Sequence, residues 1–194
     1  VLPGQDFPKE LDSQFWWRTH WIGLTGVFLV TLFGIGLVLP DASGDSWHGR
    51  LGYCVLGLVF LQVALGIFRG TTGGPTAPSS DGSFRGDHYD MTLRRTLFEA
   101  CHKSLGYLLL LLSSVVILLG LWYANAPNWM WIVIGAWWAL LICAAFALQL
   151  KGLAVDTYQA IWGPDPSHPG NKIPPNGWGM RRIEQERGDY VRRD

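Results

Sequence analysis

Three histidines, His20, His48 and His102, stand near the starts of three long apolar segments. Each is followed three or four residues later by a glycine: Gly23, Gly52 and Gly106. In a helix, residues at i+3 and i+4 share a face with residue i. A glycine there leaves a flat recess beside the imidazole, which a planar macrocycle needs and ordinary packing does not. Imidazoles projecting into a helical bundle are haem ligands in many folds, and ionisable groups inside apolar spans are functional candidates by default. The chemistry these residues suggest is axial ligation of a haem iron. His88 and His168 lie in polar stretches and are expected to be solvated. Cys54, Cys101 and Cys143 are odd in number and widely spaced, which suits neither a disulfide framework nor a zinc site. No C-x-x-C-H occurs, so a haem here would be held without thioether links.

The elements that must position these histidines are four apolar stretches, each long enough to cross a hydrocarbon core, which takes ~20 residues. They run over roughly Phe15–Leu39, Trp47–Phe68, Leu97–Tyr123 and Trp129–Leu150. None shows the polar face of a helix on a soluble core. Trp16, Trp17, Trp47, Trp122, Trp129 and Trp131 cluster at their ends, as an interfacial aromatic belt does. The composition agrees: 15% charged, 49% hydrophobic and eleven tryptophans. A formal net charge of zero gives no reason to expect nucleic acid as a partner. The expected fold is all-α: a transmembrane helical bundle over 15–150, preceded by a short segment, 1–14, and followed by a polar Pro/Gly-rich tail, 151–194. That tail has no apolar periodicity and is expected to lack structure unless a partner subunit or the 70–96 loop holds it.

With four crossings, both termini and the 70–96 loop share one side. Arg18, Arg69, Arg94, Arg95, Lys103 and Lys151 gather there, whereas Arg50 is alone on the other side. The positive-inside rule makes the cation-rich side cytoplasmic, or its organellar equivalent. His20 and His102 both open spans leaving that side, at a similar depth of roughly 7–10 Å. His48 opens a span from the opposite side, ~28 Å away along the axis. His20 and His102 can therefore grip one iron from opposite faces, and His48 cannot join them.

The stretch Trp47-His48-Gly49-Arg50-Leu51-Gly52-Tyr53, running on to Leu61-Gln62-Val63-Ala64-Leu65-Gly66-Ile67-Phe68-Arg69, resembles a core helix of the cytochrome b-561 domain family. Phe98-Glu99-Ala100-Cys101-His102-Lys103-Ser104-Leu105-Gly106-Tyr107 resembles the next helix, and Trp16-Trp17-Arg18-Thr19-His20 the one before. The likeness spans roughly residues 14–123. It implies a membrane cytochrome that transfers electrons through b haems, each held by two histidines from different helices. His20 and His102 would be one pair. His48 would belong to a second, whose other ligand the family places on an earlier helix. That ligand is expected from a segment upstream of Val1 or from a neighbouring subunit; without it, one haem is expected.

An iron held by two imidazoles has no open axial position, which suits outer-sphere electron transfer rather than catalysis at a substrate pocket. Arg18, Arg69, Arg94, Arg95, Lys103 and Tyr107 lie within reach of haem propionates on the cation-rich side, though the cations serve equally as topology anchors. Two other readings stand beside the cytochrome. One is an accessory subunit of a larger respiratory or photosynthetic membrane complex, motivated by the unsupported tail. The other is a transporter with histidine relays, for which Glu99 is the sole intramembrane carboxylate candidate.

Overall fold

A computed structural model describes residues 14–38, 46–69, 87–151, 154, 156–175 and 182. Among them there is no strand. Four long helices account for most of the described chain: α1 (Gln14–Val38), α2 (Trp47–Ile67), α4 (Leu93–Tyr123) and α5 (Asn128–Leu150). The shorter helices α3 (Asp87–Asp90) and α6 (Thr157–Trp162) and a 3-10 turn at Pro169–Lys172 complete it. Even the shortest long helix, with 21 residues, rises about 31 Å, enough for a hydrocarbon core of about 30 Å. The four spans expected from sequence are therefore present, with ends shifted by at most four residues.

These helices are apolar around their whole circumference. Phe15, Val30, Phe33, Ile67, Leu110, Trp122 and Ile132 are all exposed, and no candidate span has more than 6% of its most apolar window buried inside the protein. A water-soluble chain does not leave so much contiguous apolar surface uncovered. The arrangement is that of a multi-pass membrane protein whose cover is lipid.

Local chemistry sets the helix ends. Ser46 caps α2, its hydroxyl accepting from the Gly49 amide at 3.0 Å. Thr92 precedes α4, and its hydroxyl oxygen accepts from the Arg95 amide at 3.3 Å. This places the start of α4 at Leu93, ahead of the apolar run that marks it in the sequence. Between α4 and α5 the chain turns within four residues. The Ala126 amide donates to the Leu121 carbonyl at 2.9 Å, and Asn125 takes the left-handed conformation at φ 46°, which asparagine tolerates better than most residues.

The chain divides into two compact units. One holds, among the described residues, 14–38, 46–69 and 98–147, and its helix directions follow from side-chain pairs. Arg69, just past the end of α2, lies over Trp17 at the start of α1, and Phe28 meets Phe60 at 5.5 Å. His48 reaches Val116, and Gln62 reaches His102. Thus α2 runs antiparallel to both α1 and α4, and α1 and α4 are parallel.

The other unit holds, among the described residues, 87–97, 148–151, 154, 156–175 and 182. Of the two supports expected for the tail, the 70–96 loop is the one seen: part of the tail folds onto the segment around α3. Tyr158, 1% exposed, donates its hydroxyl to the Tyr89 carbonyl at 2.8 Å and accepts from the Gly170 amide at 3.0 Å. The Arg182 guanidinium pairs with Asp156 at 2.6 Å and also donates to the carbonyls of Gly170, Asn171 and Ile173. Asp156 in turn caps α6 through the Tyr158 amide. Polar groups fixed by long-range partners do the work that apolar periodicity does in a helix, so a periodicity search passes over them. His88 is likewise not solvated. It is 1% exposed, with its Nδ1 accepting from the Trp162 indole N–H at 3.0 Å. His168 is half-buried, its ring 5.6 Å from that of Tyr89.

Candidate functional site

His20 lies on the second turn of α1 and His102 on the third turn of α4. Because these helices run parallel, the two imidazoles arrive at the same level. Their ring centroids are 6.4 Å apart, with planes inclined at 66°. A metal–nitrogen bond of about 2.1 Å and a ring radius of about 1.1 Å put two trans imidazoles about 6.4 Å apart across one metal atom. The spacing therefore fits a single iron between the rings. The same separation and inclination also fall within ordinary edge-to-face ring contact.

Each imidazole is backed by an aromatic ring one turn earlier on its own helix. Trp17 stacks on His20 at 6.3 Å and 29°, and Phe98 on His102 at 5.5 Å and 16°. The Arg69 guanidinium covers the Trp17 indole at 3.6 Å, a cation–π contact joining α2 to α1. Gln62 projects from α2 and donates its side-chain amide to the His102 carbonyl at 2.9 Å.

The glycines differ in what surrounds them. A methyl group at Gly23 would meet nothing within 4 Å. Gly23 also borders an open, mostly apolar surface of α1 together with Phe15, Arg18, Thr19 and Ile22; neither His20 nor His102 lines it. At Gly106 the recess is taken by the Gln62 amide, 3.3 Å from where a Cβ would stand. Gly52 has open space around it. The glycine in contact with His48 is Gly120: a Cβ there would stand 2.8 Å from the imidazole Cε1.

His48 sits at the other end of the bundle, its Nδ1–H donating to the Val116 carbonyl at 3.0 Å. A carbonyl can only accept, so Nδ1 carries a proton. Of the candidate propionate partners, Arg18 and Tyr107 are exposed at the end that holds His20 and His102. Arg69 is on Trp17, and Lys103 pairs with Glu99 at 3.5 Å along one face of α4. Arg94 pairs with Asp87 at 2.5 Å, and Arg95 is buried.

Sequence reading singled out the two histidines but not Trp17, Phe98 or Gln62. The signal for the first two is an aromatic residue three or four positions before each histidine, and for Gln62 its place as an amide deep in an apolar span. Among the described residues, no group of three or more His, Cys, Asp or Glu side chains is placed to hold a metal ion. A site made of two imidazoles lies below that number. Comparison with protein-family models, curated proteins and solved structures finds no match to this chain.

Proposed function

We propose that this chain is a membrane-bound b-type cytochrome that transfers electrons through a haem held axially by His20 and His102. The observation that carries the reading is the 6.4 Å separation of the two rings on parallel helices. The likeness of residues 14–123 to the cytochrome b-561 family supports it. Bound there, a haem supplies one-electron ferric–ferrous chemistry. The protein's part is to hold and shield. His20 and His102 would hold the iron through their imidazole nitrogens, leaving small ligands no open site. Lipid-facing apolar helices keep bulk water from the site, and Arg18 and Tyr107 offer a positive charge and a hydroxyl for carboxylates at its rim. His48, with Nδ1 held by Val116, is half of a second site and ligates iron only if another segment or subunit brings a second donor.

The cation-rich end of the bundle, which holds His20 and His102, is placed on the cytoplasmic side by the positive-inside rule. The accessory-subunit reading rests on a tail that a partner subunit or the 70–96 loop must hold; the bond from Tyr158 to the Tyr89 carbonyl favours the loop.

A reduced-minus-oxidised absorption spectrum of the purified protein tests the proposal. We expect a b-type band that is lost in His20→Ala and in His102→Ala and kept in His48→Ala. Absence of the band, or its persistence in both of the first two variants, overturns the assignment. Protease added to sealed inside-out vesicles should reach the tail; protection would reverse the orientation.

A further inference from the structure

We infer that Trp17 and Phe98 are positioning residues that hold the imidazole planes of His20 and His102 crossed rather than parallel. The inference rests on the reading of these two histidines as axial ligands.

An imidazole turns about its Cβ–Cγ bond in a broad, shallow potential. Coordination at one nitrogen leaves that rotation free, so the plane must be set by neighbours. Here each ring has a flat neighbour of its own. Side chains on a helix lean towards its N-terminus, so an aromatic residue one turn ahead can lie against the face of the ring that follows. Trp17 does this for His20 and Phe98 for His102, at centroid distances of 6.3 and 5.5 Å. Both fall in the range of offset aromatic stacking. The small inclinations, 29° and 16°, mean that each imidazole follows the plane of its backing ring. The two backing rings belong to different helices, and the imidazole planes they dictate cross at 66°. Trp17 is itself pinned from a third helix by Arg69.

The consequence is spectroscopic. Each imidazole donates π-density into the iron d orbital perpendicular to its own plane. Parallel planes load one orbital and split the pair, giving a rhombic low-spin ferric spectrum. Crossed planes load both and leave them nearly degenerate, giving a strongly anisotropic spectrum with a single prominent low-field feature. With iron between them, rings that keep their 66° inclination would fall in the crossed class.

The test is low-temperature electron paramagnetic resonance of the oxidised, haem-loaded protein and its variants, with haem content measured alongside. The wild type is expected to show the anisotropic low-field feature. Trp17→Leu and Phe98→Leu, which keep apolar bulk but lose the flat face, should shift intensity towards the rhombic type, and the double variant should shift it further. Trp17→Phe and Phe98→Tyr should keep the wild-type spectrum. If a leucine variant holds no haem, the corresponding methionine variant is read in its place. A rhombic wild-type spectrum overturns the inference, as does an unchanged anisotropic spectrum in both single variants and the double variant; either leaves bis-histidine ligation standing. Absence of any low-spin haem signal that depends on His20 and His102 overturns the cytochrome reading itself, and this inference with it.

Discussion

Removing the guanidinium of Arg182 should release the folded part of the tail, and the cost can be worked out from its contacts. Arg182→Met keeps most of the aliphatic stem and deletes the fork. Arg182 and Asp156 are 16% and 5% exposed at their side chains, so the variant leaves a mostly buried carboxylate without its cation. Breaking a fully buried pair costs about 3–5 kcal/mol. The partial exposure of Arg182 admits water once the fork is gone, which puts the expected cost at the lower end, about 3 kcal/mol. The carbonyls of Gly170, Asn171 and Ile173 lose a donor as well, but they border the same vacated space and can turn to water. At about 1.4 kcal/mol per factor of ten, the open population of the 156–175 segment rises by about 10²-fold. Amide hydrogen exchange of peptides covering 156–175, measured on protein in nanodiscs, reads that population directly when closing outpaces exchange. Asp156→Asn should cost less, because it leaves no buried charge, and Arg182→Met should add little to it. Exchange accelerated by less than about threefold in Arg182→Met, or fully additive effects of the two substitutions, would refute the account of this pair as the clasp of the tail.

Other outcomes follow from single contacts. Tyr158→Phe deprives the Gly170 amide of its acceptor and the Tyr89 carbonyl of a donor, and should destabilise the same segment by about 1–3 kcal/mol, again read by exchange. Burial holds the Tyr158 hydroxyl above the ordinary tyrosine range, partly offset by its bond from the Gly170 amide. The folded segment therefore keeps its proton where the unfolded chain loses it. The Tyr158 contribution is complete below about pH 10 and is lost as pH rises further. Tyr158→Phe should remove that alkaline loss of protection. Gly106→Ala brings a methyl group to 3.3 Å from the Gln62 amide and should lower haem content, with Gln62→Ala restoring part of it in the double variant; equal haem in all three would sink the packing argument. Gly120→Val forces the His48 ring aside and should lower the melting temperature in detergent through overpacking worth about 1–3 kcal/mol, while the band assigned to His20 and His102 stays unchanged.

The four spans are legible because a bilayer reads only length and apolarity, both properties of consecutive residues. The start of α4 was placed late for the same reason: Arg94, Arg95 and Thr96 interrupt the apolar run but not the helix, whose first turn is organised by Thr92. The shared level of His20 and His102 follows from counting crossings, so the sequence alone brings them together. The neighbours of each histidine lie beyond such counting. Gly52 shares the helix of His48 by spacing, yet the contact is made by Gly120 from another helix, and no spacing rule relates residues 72 positions apart. The fold of the tail was hidden more deeply. Asp156 just before Thr157 was a readable helix cap, but its pairing with Arg182 joins two polar residues that composition alone assigns to water.

The four-residue turn between α4 and α5 also constrains how the chain can enter a bilayer. A linker that short cannot leave one span embedded while the other stays in water, because the waiting helix would expose some twenty apolar side chains until its partner withdrew. The spans α4 and α5 are therefore expected to enter the bilayer together, as a hairpin whose bend carries the Leu121–Ala126 hydrogen bond and the left-handed Asn125. Lengthening the turn with a polar spacer is expected to let the two spans enter separately.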